Sequence, residues 1–139
     1  NQLAYWMKRQ IIEDYPMNLA SPVDWTDETK NINDRVRSYL DVNCGHCHSP
    51  TGNANSTGLY LHLYETRDIH LGLYKKPVAT GRGSGGFKYS IVPGKPEESI
   101  LLHRMISLDP GVMMPESGRA LSHTEAVEMV REWILVMED

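Results

Sequence analysis

No run of apolar residues in this 139-residue chain approaches the ~18 consecutive positions that a membrane-spanning helix requires. Basic residues are in deficit as well. Lys and Arg number 14 against 18 Asp and Glu, and a net charge of −4 has the wrong sign for a surface that neutralises phosphate backbones. The opening segment, NQLAYWMKRQIIEDYP, lacks the long apolar core and small-residue cleavage site of a signal peptide, so it is expected to be mature or excised sequence. Cysteine is scarce. Cys44 and Cys47 are the only two, and three positions apart they would close a tiny, strained loop that staples nothing distant. What remains is ordinary: 40% hydrophobic and 23% charged residues exclude disorder, and the length suits one domain.

Along the chain, Leu3, Tyr5, Trp6, Met7, Ile11 and Ile12 predict a helix ending before Pro16, followed by a loop that Trp25 pins to the body. Asn31 is a good N-cap, and Ile32, Val36, Tyr39 and Leu40 recur at i, i+4, i+7 and i+8. A helix therefore leads straight into Cys44. Beyond it, SPTGNANSTG is turn chemistry, and LYLHLYETRDIHLGLYKK reads as short strands or extended loop. ATGRGSGG is too rich in glycine for regular structure. Pro96, with Glu97 and Glu98 behind it, predicts the first turn of a short helix through Met105. SLDPGVMMPESGR is a second loop. Ser122 and Glu125 have capping-box spacing ahead of a final helix with Ala126, Val130, Trp133, Ile134 and Met137 on its apolar face. Tyr39 and Trp133 suit a contact between these two helices.

Both cysteines fall in CGHCH, residues 44 to 48, and the histidine after the second one decides among the chemistries open to the pair. In Cys-x-x-Cys-His, two thiols can add to the two vinyl groups of one haem while the adjacent imidazole reaches the iron. Thioethers at Cys44 and Cys47 fix one edge of the group, so His48 has little freedom left to lose on ligation. A structural zinc site needs two more ligands, and no second Cys-x-x-Cys or closely spaced His pair follows. A thioredoxin-like dithiol opens a helix after a buried strand, whereas here a helix comes first. Both rivals leave His48 unexplained.

On the haem reading, the sixth iron position falls to Met114, a thioether on a loop stiffened by Pro115. Met113 competes directly, and His62, His70, His103 and His123 are nitrogen alternatives; the plain account is two core methionines among seven. His46, between the cysteines, points away from the same iron. His103 reads as a partly buried helix residue. Gly81, Gly83 and Gly86 match G-x-G-x-x-G, but no βαβ pattern surrounds them, which sets a dinucleotide site aside. That loop suits the haem edge instead, with Arg82 or Arg119 either facing a propionate or simply solvated.

Helix, CGHCH, loop, helix, MMP and a capped final helix together resemble the single-haem cytochrome c fold over residues 31–139, with residues 1–30 an N-terminal helix and linker packed on it. YLDVNCGHCHSPTGNANSTGL, KPVATGRGSGG, YSIVPGKPEESILLHRM and DPGVMMPESGR resemble more closely a bacterial subgroup. There, such a domain is commonly the C-terminal part of a larger exported protein, in some cases joined to carbohydrate-binding modules. The resemblance implies a mainly α fold and one haem c attached through Cys44 and Cys47, with His48 and Met114 as iron ligands. It implies a periplasmic or secreted location, which two cysteines with no spare thiol fit. A long insertion of loop and short strand, about residues 55 to 95, departs from small cytochromes c. The implied partners are redox proteins, with a copper-dependent lytic polysaccharide monooxygenase proposed for some relatives.

The expectation is an electron-transfer protein rather than an enzyme, a monomeric domain of a larger protein with no catalytic acid, base or nucleophile and no nucleic-acid partner. The alternative is an open-site haem, peroxidase-like or gas-sensing, with Met114 off the iron and His62, His70 or Arg82 beside it. A haem that only stabilises a binding module is the third reading.

Overall fold

In the computed structural model, which describes residues 2–17, 19 and 21–138, the first well-packed element is α2 (Ile32–Leu40). The Asn31 side-chain oxygen accepts the backbone N–H of Asn33 at 2.8 Å, the expected N-cap, and Val36, Tyr39 and Leu40 are buried. α1 (Gln2–Lys8) precedes it. It stops well short of Pro16 because the chain turns at Gln10, whose φ of 57° is left-handed. Ile11 N–H donates to the Trp6 carbonyl and Gln10 N–H to that of Met7. α1 buries none of its residues and packs against no other helix among the described residues, and a helix this short has little else to extend it. The linker after it is tied down. Val23 N–H donates to Ser38 Oγ at 2.9 Å, Arg35 Nε to the Trp25 carbonyl at 2.8 Å, and the Trp25 ring meets Tyr39 and His123 edge-on.

Of the two readings left open after residue 58, short strands or extended loop, the structure takes the loop. Among the described residues there is no strand, only the isolated bridges Leu73 with Ile91 and Tyr89 with Ser99, together with the one-turn α3 (Asp68–Leu71). Positive φ at Gly72 (108°) and Tyr74 (48°) breaks the extended run that the apolar alternation suggested.

α4 (Ile100–Ile106) begins later than expected. Pro96–Glu98 form their own 3₁₀ turn, and Ser99 between them and the helix is extended, its hydroxyl donating to the Lys95 carbonyl and accepting Val92 N–H. α5 (Thr124–Leu135) starts without its capping box. Ser122 Oγ donates to the Met105 carbonyl instead, and the His123 ring is taken by the Tyr39 hydroxyl at 3.1 Å. Of the expected apolar face of α5, Ala126, Val130, Trp133 and Ile134 are buried, whereas Met137 lies past the end of the helix and is only partly buried against the core; Trp133 Nε1 donates to Asn33 Oδ1 across to α2.

The core sits where α5 packs against both α2 and α4. Val36, Leu40, Leu102, Val130 and Ile134 are at most 1% exposed, and Leu61 and Ile91 bring the insertion into the same cluster. The protein is thus mainly α, and among the described residues no helix is long and apolar enough to cross a membrane.

Candidate functional site

α2 does not end at Leu40; it widens. Residues Asp41–Gly45 make one turn of π-helix, and this wider turn carries Cys44. The Cys44 carbonyl then accepts two backbone donors, Cys47 N–H at 3.1 Å and His48 N–H at 2.8 Å, so both thiols and the imidazole emerge from a single knot of chain. The following loop folds back onto it. Ala54 N–H donates to the Cys47 carbonyl at 3.0 Å and Leu61 N–H to the His48 carbonyl at 2.8 Å.

Both thiols are free and half-buried. Burial pushes the Cys44 thiol up to about 12, and the neighbouring Cys47 adds to the shift. Burial also holds the His48 imidazole below its ordinary 6.5, helped by the charges of Arg104 and His46 and opposed by the backbone of Leu59. His48 is therefore neutral at pH 7, the form that binds metal. Its Nδ1 is fully buried. Leu59 lies near enough to favour a proton on the ring, yet no acceptor meets hydrogen-bond geometry at Nδ1. Two uncommitted thiols three residues apart, a neutral imidazole and an orphaned buried ring nitrogen are the donor set that a covalent haem uses, and the residues present fit it.

The insertion is anchored to α2 by a buried arginine. Arg37 Nη2 donates to the carbonyls of His62 (2.9 Å), Leu63 (3.1 Å) and Glu65 (2.8 Å). The Glu65 carboxylate, also buried, accepts Arg67 Nε and Nη2 at 2.9 Å each and the backbone N–H groups of Thr66 and Arg67 at 3.0 Å. His70 Nδ1 and His62 Nε2 face the same Oε2 at 3.3 and 4.0 Å without hydrogen-bond geometry. The Arg67 side chain, foremost, holds the Glu65 carboxyl well below the usual carboxylate range, the backbone donors adding to it against the opposing effect of burial. A depressed folded value stabilises the fold above the unfolded value near 4.5, and this contribution is lost as pH falls toward the folded one. Glu65→Gln is thus expected to be less stable than wild type at pH 7, with the gap narrowing steadily below about pH 4.5. Urea unfolding of both proteins at pH 7 and pH 3 checks this, and a gap that stays constant or widens on acidification contradicts it.

Met113 and Met114 are half-buried on the loop between α4 and α5. Met114 N–H donates to the Arg104 carbonyl at 2.9 Å, which ties the methionine loop to α4. Arg82 and Arg119, read as facing a propionate or solvated, have protein partners: Arg82 forks the Asp109 carboxylate at 2.7 and 3.0 Å, and Arg119 donates to the carbonyls of Arg104, Met105 and Ser107. Of the histidine alternatives, His62 and His70 turn to Glu65, His123 to Tyr39, and His103 lies edge-on to Phe87. His46 is exposed.

Gly81, Gly83 and Gly86 enclose a 3₁₀ turn (Gly81–Ser84) with no strand before it, unlike a dinucleotide fingerprint. An open groove of about 640 Å³ beside α5 is walled by Glu28, Arg35, Glu128, Arg131 and Glu132, and none of Cys44, Cys47, His48 or Met114 lines it. Among the described residues no three His, Cys, Asp or Glu side chains converge as ligands for a metal ion. Arg37, Glu65 and Arg104 carry no motif and went unread in the sequence. Compared with family models, curated proteins and solved structures, the chain matches none of them.

Proposed function

We propose that this protein is a cytochrome c-type electron carrier holding one covalent haem. The observation that carries the reading is the CGHCH turn itself, with two free thiols and a neutral, half-buried His48 brought together by the end of one helix and the turn that follows it. When bound, the haem supplies a one-electron ferric–ferrous couple. Cys44 and Cys47 would hold it by thioethers, and His48 and Met114 would be its iron ligands. A thioether ligand favours the ferrous state and so raises the potential, and full ligation lets the oxidation change proceed with little rearrangement. The open-site alternative has less support, because His62, His70 and Arg82 are turned to other groups.

The resemblance adds the setting: a periplasmic or secreted domain of a larger protein with redox-protein partners, a copper-dependent polysaccharide monooxygenase among them. The test is the absorption spectrum of the ferric protein in its weak long-wavelength region, where sulfur bound to iron gives a charge-transfer band. The band is expected in wild type and absent from Met114→Ala. A wild type that lacks it and takes up cyanide or carbon monoxide readily sinks the closed-site reading.

A further inference from the structure

The loop that carries Met114 is held at both ends by arginines that reach backbone carbonyls. The carbonyls of the last turn of a helix have no partners within it. At the end of α4, Arg119 takes two such groups, the carbonyl of Met105 with Nη1 (2.8 Å) and that of Arg104 with Nη2 (3.1 Å), and with Nη2 also the carbonyl of Ser107 just beyond the helix (2.6 Å). The Arg104 carbonyl also accepts Met114 N–H, and Arg104 Nε donates to the Val112 carbonyl at 2.8 Å, two residues before the methionine. Entry to the loop is fixed by Asp109. Its carbonyl accepts the N–H groups of Val112 and Met113 at 2.8 Å, and its carboxylate is forked by Arg82 from the glycine-rich loop. The glycines fit this arrangement. A side chain at Gly83 would press on the Arg104 guanidinium at 3.3–3.4 Å, and one at Gly111 would strike that of Arg82.

We propose that Arg104 and Arg119 are positioning residues that present the Met114 sulfur to the iron, with Arg82 of GRGSGG as an outer latch on the same loop. This rests on the haem reading above and gives the glycine-rich stretch a role that no nucleotide motif accounted for. The inner clamp is half-buried and holds the methionine from both sides, whereas the Arg82–Asp109 pair is exposed and screened by salt. Without the clamp, the loop samples more conformations and the sulfur competes less well with a ligand from solution.

The experiment is titration of the ferric, haem-loaded protein with imidazole, followed by absorbance, beside the chemical unfolding midpoint from circular dichroism. Met114→Ala serves as the reference for an open position. Arg119→Gln, which loses three hydrogen bonds, is expected to bind imidazole about tenfold more tightly than wild type with a smaller fractional change in unfolding midpoint. Arg82→Gln is expected to bind about twofold more tightly at low salt and like wild type at high salt. If wild type and Met114→Ala bind imidazole equally, the ligation reading itself fails. If Met114→Ala binds far more tightly while Arg119→Gln stays within twofold of wild type, the clamp is overturned. Should Arg119→Gln not fold, Arg82→Gln decides, and an affinity equal to wild type at low salt overturns the proposal.

Discussion

If the proposed haem reading holds, Gly52→Ala is expected to abolish covalent haem attachment, and it is expected to lower the unfolding midpoint of the haem-free chain by about 10 °C. A Cβ built on Gly52 lies 2.7 Å from the Cys47 carbonyl carbon and 2.8 Å from the His46 carbonyl oxygen, and closer still to the Cys47 carbonyl oxygen. These are backbone atoms, so no side chain can swing aside. Either the turn at residues 49–52 opens, losing the Gly52 N–H bond to the Ser49 carbonyl, or the Cys47 peptide rotates and takes both thiols out of register. Overpacking against rigid atoms costs about 3 kcal/mol. The second thioether needs the spacing of Cys44 and Cys47 to match one haem edge, so distortion acts on attachment directly. Gly94→Ala is the control. Its φ of 71° is strained for alanine, but its Cβ meets nothing within 4 Å, so it is expected to cost only about 1 kcal/mol and to leave attachment intact. Absorbance at equal protein concentration after denaturing extraction of free haem measures attachment. Equal attachment in Gly52→Ala and wild type refutes the expectation.

The parts legible in the sequence are those written locally. α2 and α5 were readable because their apolar residues keep helical period over two turns or more and must face a core. The closeness of Cys44, Cys47 and His48 is equally local, since the chain itself fixes their separation. Misreadings arose where a distant group took over a local signal. The Ser122 hydroxyl, spaced to cap α5, is claimed by the Met105 carbonyl, and the Ser99 hydroxyl by Lys95 and Val92, which cuts Pro96 off from α4. The apolar alternation after Leu59 is interrupted by left-handed residues at 72 and 74, which alternation does not encode. The π-turn was invisible, because a single widened turn changes no residue type. Arg37, Arg104 and Arg119 belong to a further class. Their partners are main-chain carbonyls 8 to 28 residues away, and every residue has a carbonyl, so no pairing of side-chain types announces them.

Leu102→Ala is expected to destabilise the protein by about 3 kcal/mol, with an unfolding midpoint about 10 °C lower. Leu102 is 1% exposed in the middle of α4, inside the cluster where α4 meets α5, so truncation leaves a cavity that two helices must both move to fill. Against a total stability of about 5–15 kcal/mol, that is a fifth of the reserve or more. The consequence reaches the candidate site because α4 is the post to which the methionine loop is tied through Arg104 and Met105. A shift of α4 moves the anchor of Met114 and leaves the CGHCH turn, which is built on α2, in place. The haem-loaded variant is thus expected to keep its covalent attachment while its sulfur–iron band weakens on heating before the far-ultraviolet circular dichroism changes. Leu121→Ala separates core from surface. Leu121 is 76% exposed, and its truncation is expected to stay within about 0.5 kcal/mol of wild type. Equal losses in the two variants would mean that the α4–α5 contact is not the centre of the core; loss of attachment in Leu102→Ala would mean that the CGHCH turn depends on α4 rather than on α2 alone.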